Sequence, residues 1–264
     1  MLIIYIVLKK KNKLINMKDM GFNNKKLNLY IEFVGPAGTG KTTLGKLLLK
    51  ELIKKGYDCV FRAPLFTQKQ KIKVLFKKII FSIYLIKYLN FDILLLFFNK
   101  IKDKYYMHGI TRKAVNNTIQ RRLIDYMVIR YMTTKKNYDF LINDEGLTKL
   151  IGLSVITNLS QKKLFRIAKK NIPAHSILIF LDVDDNVTME REKKRDIELP
   201  FLNKLDNFKK KELYRKRKII RNIFYKNMLR KKEIKVMRIK NNGKIRDSSK
   251  RINQFVIKVI KDFA

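Results

Sequence analysis

Residues 35–42 read Gly-Pro-Ala-Gly-Thr-Gly-Lys-Thr, and no other stretch constrains the fold of the chain as strongly. Glycines at this spacing let consecutive backbone N–H groups turn inward as an anion cradle, and the N-terminus of a following helix adds its partial positive charge. The arrangement demands a strand before the loop and a helix after it. Leu27–Val34 is a short apolar and β-branched run, and Leu44, Leu48 and Leu52 recur at helical spacing up to Lys55, with Gly56 where a C-cap belongs. Strand, glycine loop and helix together open an α/β unit.

Four further apolar runs extend that reading: Tyr57–Phe61, Tyr138–Asn143, Ile177–Leu181 and Ile234–Ile239. Between and after them lie helical patterns, with Val115, Ile119, Leu123, Met127 and Tyr131 on one, Leu213, Ile220, Phe224 and Met228 on another, and Ile252, Val256 and Val259 on the last. Strands alternating with helices predict an α/β fold, a five-stranded parallel sheet covered by helices on both faces. No internal repeat and no Pro- or Ser-rich linker divides the chain. One domain over 27–264, preceded by an N-terminal extension over 1–26, is the expectation.

The extension begins with an apolar run, Met1–Leu8, but its lysines Lys9, Lys10 and Lys11 follow rather than precede it, unlike a signal peptide. A short membrane-touching tail and a start at Met17 or Met20 both fit. From Gln68 to Lys104 runs a lysine-punctuated apolar stretch whose longest uncharged run is Ile79–Ile86, too short for a spanning helix of about 20 residues. A helical insertion is expected there, either packed or resting on a membrane surface.

Charge comes next, because the 264 residues carry 61 basic against 22 acidic side chains, a formal +39. Such a field attracts any anion: nucleic acid, an anionic leaflet or a phosphorylated small molecule. Lysine supplies 46 of the basic residues and arginine 15, a skew expected of AT-rich codons, so part of the charge is a solvated surface without a partner. Cys59 has no second cysteine to bridge to, and with only His108 and His175 beside it no metal cluster forms. A reduced, cytoplasmic setting follows, with a peripheral membrane position left open.

The cradle of Gly35, Pro36, Ala37, Gly38, Thr39, Gly40, Lys41, Thr42 and Thr43 is expected to bind the phosphates of ATP. Lys41 reaches the β- and γ-phosphates and Thr42 offers a hydroxyl to Mg²⁺. Asp144-Glu145 stands at the carboxyl end of a predicted strand, where ligands collect in an open parallel sheet. Asp144 would hold a Mg²⁺-bound water or act as a base toward an acceptor hydroxyl. Arg191 and Arg195, four apart after the fourth strand, share a helix face and would close over a transferring phosphoryl group. Each of these signals also has a plainer reading, as an acidic turn or a solvated basic helix.

In this order the motifs IEFVGPAGTGKTTLGKLL (31–48), FRAP (61–64), FLINDEGL (140–147) and LIFLDVDDNVTMEREKKRD (178–196) resemble the thymidylate kinases and their relatives among P-loop nucleoside and nucleotide kinases. The resemblance implies a P-loop kinase fold with Lys41 at the phosphates, Thr42 near Mg²⁺, and Arg191 and Arg195 as a catalytic arginine lid. It further implies Arg62 and Arg121 or Arg122 near the acceptor, and a homodimer; Asp144, as a catalytic and Mg²⁺ residue, and Glu145, near the acceptor, are expected from their place at the strand end instead. Ala37, Glu145 and the missing glutamate between Arg62 and Pro64 depart from the thymidylate kinase pattern.

The resulting expectation is an ATP-dependent phosphotransferase acting on a small acceptor, first of all a nucleoside monophosphate. A hydroxyl acceptor on a nucleoside, sugar or lipid-linked intermediate is the alternative. A rival of another class rests on the basic helix over 208–230, which suits a nucleotide-regulated protein binding nucleic acid or a membrane. Its aromatics do not interleave with its cations as stacking platforms require, which counts against nucleic acid.

Overall fold

A computed structural model of the chain describes residues 27–62, 125–134, 138–144, 146–152, 154, 160–193 and 207–263. The expectations placed on 1–26 and on the insertion over 68–104 lie outside the described residues.

The strands are β1 (Leu29–Val34), β2 (Cys59–Arg62), β3 (Phe140–Asn143), β4 (Ser176–Asp182) and β5 (Ile234–Lys240). They pair in the order β2-β3-β1-β4-β5, and every pairing is parallel. The helices are α1 (Lys41–Lys54), α2 (125–134), α3 (Gln161–Asn171), α4 (Asp185–Lys193), α5 (Asn207–Leu229) and α6 (Ile245–Phe263), with a 3-10 helix at Leu147–Gly152. Parallel neighbours need crossovers, and crossovers lay helices over both faces of the sheet. The five-stranded parallel α/β architecture expected from the sequence is present.

Because successive side chains on a strand point to opposite faces, each strand feeds two separate clusters. Leu29, Ile31 and Phe33 of β1 join Phe140, Ile142, Ile177 and Ile179 beneath Leu44 and Leu48 of α1 and Ile252 and Val256 of α6. Tyr30, Leu141, Leu178 and Phe180 face the other way, onto α2, the 3-10 helix, Leu164 and Ile167 of α3 and Phe224 and Met228 of α5. The β1, β3 and β4 runs are therefore apolar nearly throughout, as strands covered on both faces must be. Each large side chain buried this way contributes about 1.5–3 kcal/mol.

Strand starts differ by a residue or two from the sequence periodicity, for local reasons. β1 begins at Leu29, because Asn28 takes a left-handed φ of 53°. β2 begins at Cys59, since the Tyr57 N–H is still bonded to the Leu52 carbonyl of the α1 exit at 3.2 Å. α5 shows the anticipated core stripe, with Leu213, Phe224 and Met228 buried and Ile220 packed beside them.

All five strands run the same way, so Val34, Arg62, Asn143, Asp182 and Lys240 end on one edge of the sheet. The glycine loop, the Asp144 turn, the entry to α4 and the turn into α6 meet there.

Candidate active site

β1 occupies the middle of the sheet and hands the chain to the loop over residues 35–40, from which α1 starts at Lys41. Gly40 is the N-cap of α1, with φ 88°, and no side chain caps the helix. The first-turn N–H groups of α1 therefore lack a side-chain acceptor. A side chain at Gly40 would be strained by that φ, and its Cβ would stand 2.9 Å from Asn241 Nδ2.

Lys41 is buried and its ammonium lies across the loop, donating to the Gly35 carbonyl at 3.0 Å and the Pro36 carbonyl at 2.5 Å. One residue on, Thr42 Oγ1 donates to Asp144 Oδ2 at 2.6 Å. Asp144 is buried, and its Oδ1 has no hydrogen-bond partner among the described residues. Burial raises the Asp144 pKa above the ordinary carboxylate range, opposed by the Thr42 hydrogen bond and by the charges of Lys41, Lys149 and Arg62. A hydroxyl and a carboxylate with one uncommitted oxygen, meeting beside a phosphate-type loop, form a hard oxygen donor set of the kind Mg²⁺ takes. The residues fit that ion.

The turn carrying Asp144 is fastened from below by Glu32, a fully buried residue of β1 that sits opposite Asn143 in the pairing register. Its Oε2 accepts from Tyr30 Oη at 2.8 Å, and its Oε1 accepts from the Thr148 N–H at 3.0 Å and from the Thr148 hydroxyl. The Leu147 backbone also bonds to it. Desolvation raises the Glu32 pKa, and these hydrogen bonds offset part of the effect. Gly146 passes so close that a Cβ there would collide with the Tyr30 hydroxyl and the Glu32 carboxyl group. Neither Glu32 nor Tyr30 stood out in the sequence, where each reads as one more strand residue.

Arg62 ends β2 with its guanidinium already engaged. Its Nη2 meets Asp125 Oδ1 of α2 at 2.7 Å, each side chain being 6% exposed, while its Nε lacks a partner among the described residues. Asp125, like Glu32 and Tyr30, is a residue that sequence reasoning missed.

Arg191, on α4, donates to the backbone carbonyl of Asn241 at 3.3 Å. Asn241 in turn ties several elements together: Nδ2 donates to the Thr39 carbonyl at 2.7 Å, Oδ1 accepts from Ser248 Oγ of α6 at 2.8 Å, and its N–H reaches the Asp182 carbonyl at 2.8 Å. A single asparagine thus joins the glycine loop, the end of β4, the first turn of α6 and the last turn of α4. Lys41, Thr42 and Asp144 converge, and Arg62 and Arg191 stand at the same sheet edge with other partners. Arg121, Arg122, Glu145 and Arg195 lie outside the described residues.

Compared by sequence, the chain matches no family model and no curated protein. Among solved structures it is similar to a deoxyadenosine kinase from M. mycoides, at 16% identity and a TM-score of 0.50, covering 87% of this chain and 99% of that one. A thymidylate kinase from Ehrlichia chaffeensis is similar at 17% identity and a TM-score of 0.45, covering 88% of this chain and 98% of that one. The chain has the fold of that deoxyadenosine kinase, a five-stranded parallel sheet of the kind the sequence resemblance implied.

Proposed function

We propose that the protein is a phosphotransferase that moves the γ-phosphoryl group of ATP to a small acceptor. The observation that carries the reading is the convergence of Lys41, Thr42 and Asp144 on the uncapped start of α1. The loop N–H groups would take the β-phosphate, and the Lys41 ammonium would exchange the Gly35 and Pro36 carbonyls for phosphate oxygens. Thr42 and Asp144 would hold Mg²⁺, whose charge offsets that of the phosphates. Arg191, in the last turn of α4, would release the Asn241 carbonyl and close over the transferring group together with Arg195.

The acceptor belongs at the carboxyl ends of β2 and β3, against Arg62, with Glu145, Arg121 and Arg122 the further candidates that the sequence offers. For a nucleoside monophosphate, Arg62 would exchange Asp125 for the acceptor phosphate. The second reading, a hydroxyl acceptor, is favoured by the Arg62–Asp125 pair itself, because a guanidinium neutralised at 2.7 Å offers little to a second anion. Asp144 or Glu145 would then take the hydroxyl proton.

The test is ADP release with purified protein over a panel of nucleoside monophosphates, nucleosides and sugars, alongside Lys41→Ala. Turnover with one acceptor class, reduced about 100-fold or more in Lys41→Ala at unchanged melting temperature, is the expected result. Full activity in that variant sinks the assignment of the loop.

A further inference from the structure

α5 carries a second apolar stripe on the side away from the core. Phe208, Ile219, Ile223 and Leu229 are 76%, 48%, 41% and 53% exposed. At about 100° per residue they cluster on one face, roughly opposite the buried Leu213, Phe224 and Met228. The same outer face carries the exposed cations Lys211, Arg215, Lys226 and Arg230. Ile223 continues it sideways, into a cavity of about 410 Å³ between α3 and α5 floored by Phe165 and Phe224 and rimmed by the exposed Lys162, Arg166 and Lys169. A helix apolar on both sides is normally covered on both.

The sign of the charge selects what covers this one. A second copy of the same face would set cation against cation. Of the two longest apolar segments of this chain outside the described residues, 1–16 holds four lysines and no acid, and 68–104 holds nine lysines against two aspartates. Both are repelled. Nucleic acid satisfies the cations but leaves the four large apolar side chains in water. A surface that offers anions and an apolar interior at the same depth satisfies both, and an anionic lipid leaflet is such a surface.

We propose that the outer face of α5 docks the protein on anionic membranes, lying in the headgroup layer with Phe208, Ile219, Ile223 and Leu229 inserted and Arg215, Lys226 and Arg230 among the lipid phosphates. No described helix is long and apolar enough to cross a bilayer, so the contact is one of lying on the surface. The inference is independent of the kinase reading, since none of these residues touches the glycine loop or Asp144.

A chain of +39 adheres to any polyanion, so the deciding variants leave the charge unchanged. The full-length protein is floated with vesicles of phosphatidylcholine alone and of phosphatidylcholine with about a third phosphatidylglycerol. The wild type is expected to float with the anionic vesicles only. Ile219→Ser/Ile223→Ser is expected to bind them about tenfold or more weakly at unchanged melting temperature, because surface changes of this kind cost little stability. The chain contains no tryptophan, so Phe208→Trp adds a single one, excited apart from the tyrosines, whose emission shifts to the blue on anionic vesicles and stays put on neutral ones. Equal flotation of the serine variant and the wild type, or a Phe208→Trp emission blind to anionic vesicles, overturns the proposal in favour of diffuse charge. Salt-sensitive binding to RNA without any flotation overturns it in favour of a nucleic-acid surface.

Discussion

At the scale of single residues, the site places two carboxylates where burial works against their ionised forms. Asp144 has its pKa raised by desolvation, so its ionised form destabilises the fold at pH values above that raised pKa, and the penalty disappears as the pH falls through it. Asp144→Asn is therefore expected to melt higher than the wild type near neutral pH, with the gap closing as the pH falls, while turnover falls by about 100-fold. Thermal melts across pH, paired with kcat, check both signs. Glu32 works through others rather than on a ligand. Glu32→Ala strands the Tyr30 and Thr148 hydroxyls, a loss of about 1–3 kcal/mol for each. Because the Asp144 turn loses its anchor, kcat should fall more than the KM for ATP rises. Glu32→Gln keeps an acceptor for Thr148 and lets the Tyr30 hydroxyl turn round, so most activity should return. A kcat unmoved in Glu32→Ala would reduce the residue to a packing role. Asp144 was legible in the sequence as a strand-end carboxylate, but these pairings were not: Glu32 and Thr148 are 116 positions apart, Arg62 and Asp125 are 63 apart, and Asn241 and Thr39 are 202 apart. Periodicity and motif spacing report neighbours along the chain, whereas these partners are neighbours only through the sheet.

At the scale of elements, the β1, loop and α1 unit was readable because it is local in every respect. The apolar run, the glycines and the leucine spacing all act within 26 residues (29–54), and each signal agrees with the others. Gly40→Ala tests that unit. A left-handed alanine costs about 1–2 kcal/mol, and the contact with Asn241 Nδ2 adds to it. Loss of that stability in denaturant melts, together with weaker ATP binding, is expected; a variant indistinguishable from wild type in both would mean that the loop relaxes freely. α5 shows the opposite case. Its core stripe of Leu213, Phe224 and Met228 was evident, yet its outer stripe was not, because in a helix with apolar residues all round sequence spacing alone does not say which side meets the sheet.

At the scale of the whole molecule, the sheet divides the interior into two clusters that share no side chain, yet the backbone of each strand serves both. Truncating either should unfold the protein as one unit. Phe140→Ala on one face and Phe224→Ala on the other are each expected to cost about 3–5 kcal/mol, in a single transition by calorimetry. Two separate transitions would show that the faces hold independently. The net charge has been divided among causes: a few cations at the sheet edge suit phosphates, a band on α5 suits a lipid surface, and many others are solvated lysines of a lysine-rich chain. The strand polarity that gathers the described chemical loops on one edge leaves the other edge, where Lys232 stands exposed in the turn before β5, without one among the described residues. That edge is a natural handle. A thiol placed there by Lys232→Cys, with Cys59 replaced by serine, would let the protein be tethered to a bead or a sensor chip with its reactive side turned to the solution.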